Sequence, residues 1–311
     1  MISVQGLTKY YGDHAAIRDL TFDIERGQVI GFLGLNGAGK TTALKVLGCV
    51  LLPTSGRVTI DGHDVVRDPH EIRKRIGFLP DTPPLYDEMT VGGYLSFVAQ
   101  LRGVPAAEAR KRVQEVETVT ALAEVDAQEI SSLSHGYRQR VGVAQAMVHN
   151  PSLLILDEPT GGLDPVQIVE MRELIRKLKG SHTVLVSSHI LSEISQICDR
   201  LLVIQAGEIV AQGSEAELGQ RFGGGGSVEV EVKGPGARAA EVVRAVPGVK
   251  AATVLRDEGG TASLRVESPA ELRPAIARAL VGANVDLLRI DRGSERLESI
   301  FLKLTHGKEA A

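Results

Sequence analysis

Short apolar runs alternate with amphipathic stretches along the first two-thirds of the chain. Val29-Ile30-Gly31-Phe32-Leu33 and Leu153-Leu154-Ile155-Leu156 are apolar throughout, the pattern of strands buried on both faces of a sheet. Ser3-Val4 and the β-branched runs at 57–60 and 183–186 add further strands. Helical segments lie between them, as in Ala43-Leu44-Lys45-Val46-Leu47. Strand–helix alternation of this kind predicts an α/β core with parallel strands over residues 1 to about 220. Residues 105–122 read differently. Pro105 opens the stretch, and Val113, Val116, Val119 and Leu122 form an apolar stripe at helical spacing.

The pattern resets at Gly223-Gly224-Gly225-Gly226-Ser227, a run too free in its backbone to hold one conformation and therefore read as a linker. Beyond it Val228, Val230 and Val232 alternate with Glu229, Glu231 and Lys233, a half-buried strand. A helix at 237–246, strands at 252–255 and 262–266, a helix and a last strand at 285–290 follow. Ser268-Pro269-Ala270-Glu271 has the form of a capping box with Pro at the first helical position, and Leu272, Ile276 and Leu280 continue at i, i+4 spacing. The order β-α-β-β-α-β matches a ferredoxin-like α+β domain, with a short helix at 295–304 packed back on it. The expected organisation is thus a cassette at 1–222 with helices concentrated at about 82–150, a linker at 223–227 and an accessory domain at 228–311. The accessory domain carries no catalytic constellation and reads as a dimerisation or regulatory unit.

Composition narrows the function. A net charge of −4 over 311 residues argues against broad electrostatic binding of nucleic acid. No apolar run approaches the roughly 20 residues that cross a bilayer, and the N-terminus lacks a signal-peptide pattern; the expected location is cytosolic. Cys49 and Cys198 lack ligand spacing and read as small core residues, and the eight histidines form no metal-binding pair.

The chemistry sits at strand ends. Gly34-Leu35-Asn36-Gly37-Ala38-Gly39-Lys40-Thr41-Thr42 fits G-x-x-x-x-G-K-[ST] between a strand and a helix. Its glycines let backbone N–H groups wrap phosphate oxygens, aided by the positive end of the following helix. Lys40 is placed to reach the β- and γ-phosphates, and the Thr41 hydroxyl to ligate Mg²⁺. The strand at 153–156 ends in Asp157 and Glu158. Asp157 reads as a Mg²⁺ holder and Glu158 as the general base on the attacking water. Ser134 and Gly136 in Leu133-Ser134-His135-Gly136-Tyr137-Arg138-Gln139 open a helix and make a second anion site. Arg138 and Arg140 read as a solvated or salt-bridged helix face.

These ordered motifs resemble the ABC-type ATPases over residues 1 to about 215, residues 133–139 standing where the family signature is usually written LSGGQ. The resemblance implies a P-loop NTPase cassette with a mixed sheet and a helical subdomain, binding ATP and Mg²⁺. It implies that Ser134 and Gly136 act in trans, against the phosphate loop of a second cassette, expected to be a copy of this chain. It further implies that Tyr11 stacks on adenine, that Asp164 in Gly161-Gly162-Leu163-Asp164 passes information between sites, and that His189 contacts the γ-phosphate. Asp81 stands where a glutamine usually senses Mg²⁺ and the attacking water. Leu35 replaces the usual proline, its side chain expected to point away from ligand, and His135 and Tyr137 replace two signature glycines. The details look like the ATPase subunits of bacterial efflux systems, with a separate integral-membrane permease received near residues 82–95 and a place on the cytoplasmic face of the membrane. An importer ATPase with a ligand-sensing C-terminal domain is the alternative. A soluble ABC ATPase acting on ribosome or DNA is disfavoured by the single cassette and the acidic balance.

Overall fold

The computed structural model describes residues 1–222, 227–268 and 271–293. The chain divides into two compact units, Met1–Glu215 and Ala216–Ala311. In chain order the first contains β1 (Ile2–Tyr11), β2 (His14–Ile24), β3 (Val29–Leu33), α1 (Lys40–Leu47), β4 (Ser55–Ile60), β5 (His63–Asp64), α2 (Pro69–Arg73) and β6 (Ile76–Leu79). It continues with α3 (Val91–Leu101), α4 (Ala106–Thr120), α5 (His135–Met147), β7 (Leu153–Leu156), α6 (Pro165–Leu178), β8 (Thr183–Ser188), α7 (Leu191–Ile194), β9 (Arg200–Gln205) and β10 (Glu208–Gly213).

Two sheets form its body. An antiparallel sheet has the order β2-β1-β4-β5, and a six-stranded sheet the order β10-β9-β3-β8-β7-β6. In the second, β9, β3, β8, β7 and β6 run parallel and β10 pairs antiparallel at the edge. β3, β7 and β8 are buried at every position, as expected of a sheet covered on both faces. Leu33 pairs with Ser188, and Leu79 with Leu156, which neighbours Val186. That register brings the residues after β3, β6, β7 and β8 to one carboxyl edge, where ligands bind in open α/β sheets.

The core joins both sheets and α1. Val4, Phe22 and Ile24 pack with Phe32, Leu44, Leu47, Ile155 and Leu185. Phe22 and Phe32 meet edge-on at 5.6 Å between centroids, and each such side chain contributes about 1.5–3 kcal/mol by leaving water. β1 is longer than Ser3-Val4 suggested, because register shifts after Val4, Leu7 and Lys9 break its alternation.

The helices α3, α4 and α5 pack on one another. Thr90 caps α3, its hydroxyl accepting from Gly93 N at 3.2 Å. Along α4, Val113 and Val116 are buried as predicted, but Val119 is 41% exposed. The helix ends at Thr120, and Ala121 turns the chain with φ 55°, which carries the buried Leu122 past the stripe. Glu117 is buried instead. Its carboxyl is pushed up to about 7, first by burial and then by the hydrogen bond and charge of Asp126, against the opposing Arg110 guanidinium. Arg110 in turn pairs with Asp126 at 3.1 Å.

Because the folded-state pKa of Glu117 lies above its ordinary value of 4.5, the native state binds the extra proton between about 4.5 and 7 and loses stability as pH rises through that window. The downward shift of Asp126 acts below its ordinary 3.8, outside the window. Glu117→Gln, neutral at every pH, should melt about 3 °C above the parent at pH 8, with the gap shrinking toward pH 5. Thermal melts at the two pH values test this, and a gap independent of pH would refute it.

The helix α8 (Glu215–Phe222) spans the division. The second unit continues with β11 (Ser227–Lys233), α9 (Gly236–Arg244), β12 (Ala251–Glu258), β13 (Thr261–Glu267), α10 (Arg273–Gly282) and β14 (Asp286–Gly293). Its sheet is antiparallel in the order β12-β13-β11-β14. The alternating valines of β11 are buried with Ala239, Val243, Leu264, Ile276 and Leu280. The capping box does not open α10. That helix starts at Arg273 with Leu272 at the cap and Pro274 in the first turn, while Pro269 and Ala270 lie outside the described residues. So do Gly223–Gly226 of the predicted linker and the predicted helix at 295–304.

Candidate active site

Four strand ends converge on one cleft of about 530 Å³. Tyr11, His14, Ala16, Leu35, Asn36, Gly37, Gly39, Lys40, Thr41, Thr42, Asp81, Glu158, Gly161 and His189 line it. The loop between β3 and α1 keeps its shape through close backbone approach. A β-carbon on Gly34 would lie 2.4 Å from the Ile204 carbonyl oxygen, and one on Gly39 2.5 Å from that of Ala16. Gly39, at φ 106°, is the left-handed residue that opens α1. Ala38 is buried behind the loop, its carbonyl accepting from Gly207 N at 3.0 Å. Gly34 and Ala38 therefore shape the loop without lining the cleft. Leu35 is among the residues that line it.

Lys40 is 5% exposed and donates to the Gly34 carbonyl at 2.7 Å. Its ammonium also lies 3.2 Å from Glu158 Oε1, while Glu158 Oε2 lies 3.0 Å from His189 Nδ1. Lysine, carboxylate and imidazole thus form a continuous line along the floor. The Glu158 peptide N–H donates to Ser187 Oγ at 2.8 Å, and its φ is 47°. That is a left-handed conformation which costs a non-glycine residue on the order of 1 kcal/mol and is retained where geometry is at stake.

Asp157 is fully buried, with Oδ1 accepting from Ser187 Oγ at 2.7 Å and Oδ2 without a hydrogen-bond partner. Burial raises its carboxyl pKa above the usual range; the Ser187 and Thr41 hydroxyls oppose this, and the charges of Glu158 and Asp81 add to it. A buried, unsatisfied carboxylate oxygen beside a threonine hydroxyl and two further carboxylates fits a hard divalent cation with oxygen ligands. Tyr11 is 50% exposed, with Lys9 Nζ 5.6 Å from its ring centroid, so one ring face is available at the cleft rim.

Residues 17–161 match the family described as ABC transporter. The chain is 39% identical over 224 residues to the Daunorubicin resistance ATP-binding protein DrrA3 of Streptomyces coeruleorubidus, covering 72% of this chain and 71% of that one. It is 32% identical over 309 residues to the uncharacterized ABC transporter ATP-binding protein YcbN of Bacillus subtilis, covering 99% and 97%. The dimeric structure of a bacterial ABC transporter cassette superposes with a TM-score of 0.63 at 28% identity, covering 69% of this chain and 98% of that one.

The chain belongs to the ABC transporter ATP-binding family. As an ABC cassette it is a nucleotide-binding ATPase subunit with the P-loop fold, mixed sheet and helices of that family. Among the described residues, no helix is long and apolar enough to cross a membrane.

Residues 133–139 contribute no side chain to the cleft lining but touch it through His135. Ser134 is exposed at the start of α5, its hydroxyl accepting from Tyr137 N at 3.5 Å. A β-carbon on Gly136 would lie 2.6 Å from the amide end of the Gln167 side chain of α6, a flexible group that can move aside. His135 Nε2 is 3.0 Å from the Gly161 carbonyl oxygen. Asp164 caps α6, one carboxylate oxygen accepting from Val166 N and Gln167 N at 2.9 Å each. Arg138 pairs with Asp87 at 2.7 Å and Arg140 with Glu170, the salt-bridged helix face predicted.

Sequence reasoning missed the hydroxyls. Ser187, fully buried, joins the Asp157 carboxylate to the Glu158 backbone. Its only signal was the pair Ser187-Ser188 at the end of an apolar strand, where buried polar groups require partners. His14 and Ala16 on the cleft wall had no sequence signal, because β2 brings them there through pairing with β1.

Proposed function

We propose that this chain powers export through a separate membrane permease, as one of two identical ATPase cassettes that close on a pair of ATP molecules. The observation that carries this reading is the Lys40–Glu158–His189 line on the cleft floor. In the absence of phosphate, Lys40 is held by Glu158 and by its own loop. A γ-phosphate competes for that ammonium and draws Lys40 from Glu158, leaving the carboxylate to accept a proton from the attacking water. His189, on the other carboxylate oxygen, orients Glu158 and turns toward the γ-phosphate. Backbone N–H groups of Asn36, Gly37, Gly39 and Thr42 cradle the phosphates, and Tyr11 stacks on adenine.

Thr41 and Asp157, with Asp81 at the rim, would hold Mg²⁺, which when bound would supply positive charge to offset that of the phosphates. Ser134 and the N-terminus of α5 supply the missing wall of the site from a second copy. ATP then acts by binding the closed pair better than the open one.

Export is supported by the drug-resistance role named for a relative. Permease docking is supported by apolar surface on the helical part, where Tyr86 (52% exposed), Phe97 (41%) and Leu101 (71%) stand in water. Tyr86 packs 5.7 Å from Phe97 and 5.8 Å from Tyr94. On this reading the cassette works at the cytoplasmic face of the membrane, and the net charge of −4 supports a role without nucleic acid. The element order and strand order 4-1-3-2 of the second unit fit a ferredoxin-like accessory domain with a regulatory or dimerising role. One observation favours the ligand-sensing alternative: an apolar cleft of about 510 Å³ on that unit, lined by Val242, Val246, Ala275, Ala279 and Arg278 among others.

Affinity purification of a tagged Glu158→Gln chain from detergent-solubilised membranes, with ATP and Mg²⁺, tests the assignment. Recovery of a polytopic membrane protein, dependent on ATP, is the expected result. Recovery of ribosomes or of soluble partners alone would overturn it.

A further inference from the structure

We propose that Glu193 is a positioning residue for hydrolysis, a buried carboxylate that pins the turn after Glu158 to the turn before His189. Glu193 is 7% exposed and lies on α7, the single helical turn after His189. Its Oε2 accepts from Thr160 Oγ1 at 2.5 Å and from Ser188 Oγ at 3.3 Å, a hydroxyl whose one proton is shared with the Ile190 carbonyl oxygen at 3.3 Å. Both donors are buried, Thr160 at 6% and Ser188 at 0%. Thr160 is two residues after Glu158, and Ser188 immediately precedes His189.

The need for such a clamp follows from the site itself. The Glu158–His189 contact of 3.0 Å spans two separate strand ends. His189 is exposed, and Glu158 sits in a strained backbone conformation, so their contact depends on how the two turns are held. Ser187 fixes only the peptide of Glu158 and the carboxylate of Asp157. Glu193 supplies the second tie, one oxygen gripping both turns. Ile190 N also donates to Ser188 Oγ at 3.0 Å, which closes the His189 turn on itself.

Among the described residues Glu193 has no ion-pair partner. The hydrogen bonds to its Oε2 both come from buried hydroxyls, and supporting bonds of this kind can hold a reacting constellation within a fraction of an ångström. Glu193 is not among the residues that line the cleft, and its influence runs through Glu158 and His189. This inference rests on the general-base reading of Glu158.

Steady-state ATPase assays on the full chain separate the possibilities, with thermal melts to establish folding. Glu193→Ala should lower kcat by about tenfold or more, the loss of two hydrogen bonds to a charged group, while KM for ATP changes by less than about twofold because the phosphate loop is untouched. Glu193→Gln keeps an acceptor oxygen for both hydroxyls and should regain most of the lost kcat. Thr160→Val, nearly isosteric, removes one tie and should cost about fivefold in kcat; with Glu193→Gln it decides the matter if Glu193→Ala fails to fold.

An Ala or Val variant with parental kcat, a loss confined to KM, or a Gln variant as impaired as Ala would each overturn the proposal. Glu158→Gln is assayed in parallel. If it is inactive while the Glu193 and Thr160 variants are unaffected, only the positioning role falls. If it turns over at the parental rate, the general-base reading falls first.

Discussion

Glu158→Gln is expected to lower the ATPase kcat roughly a thousandfold, within the range that removal of a general base costs, while ATP affinity stays within a few-fold of the parent. Glutamine preserves the shape of the side chain. Its amide still meets Lys40 on one side and His189 on the other, where the carboxylate now sits at 3.2 and 3.0 Å, so the cleft keeps its form. What is lost is the lone pair that takes a proton from water. Because binding is spared and turnover is not, the ATP-closed pair should accumulate. Single-turnover hydrolysis and size-exclusion chromatography with ATP and Mg²⁺ read the two effects. A variant with parental turnover, or one that stays monomeric with ATP bound, would contradict the mechanism.

Lys40→Ala is expected to act on binding instead. The ammonium is nearly buried, and among the described residues Lys40 is the one lysine or arginine that lines the cleft. Charge-assisted hydrogen bonds to phosphate are the strong class of such bonds. Losing them should weaken ATP binding on the order of a hundredfold, or about 3 kcal/mol. The free chain also feels the change, since Glu158 Oε1 has no hydrogen-bond partner and depends on Lys40 for its neutralising charge. Titration with a fluorescent ATP analogue measures the loss, and circular dichroism checks that the fold is intact. Affinity within threefold of the parent would remove Lys40 from the site.

Much of this site was legible as residue spacing. A phosphate loop is contiguous, and the apolar strand that delivers Asp157 and Glu158 advertises itself because both its faces are buried. The strand–helix order of the second unit was legible for a related reason: Val228, Val230 and Val232 alternate without interruption, and β11 pairs with β13 without a register shift. β1 lacked that regularity. Its register shifts scramble the alternation, and the antiparallel sheet it anchors was visible only as Ser3-Val4 and 57–60.

The start of α10 was misplaced because a capping-box pattern at 268–271 and a proline at 274 compete for the same role, and packing of Ile276 and Leu280 sets the helix at Arg273. Least legible were ties between distant turns. Thr160 and Glu193 are 33 residues apart, and His135 and Gly161 are 26 apart. No periodicity records such pairs, and only the folded chain brings them together. Asp164 was read as passing information between sites or as a helix cap before Pro165, and the cap is what the fold shows, with one carboxylate oxygen accepting from Val166 N and Gln167 N.

The left-handed backbone at Glu158 sets activity against durability at a single position. Asparagine and glycine tolerate that conformation better than glutamate, so either would relax the turn while erasing the acid. A library selected for heat resistance alone would drift toward such residues at 158 and yield sturdier cassettes that no longer cycle. Only a selection that demands transport would retain the strained carboxylate.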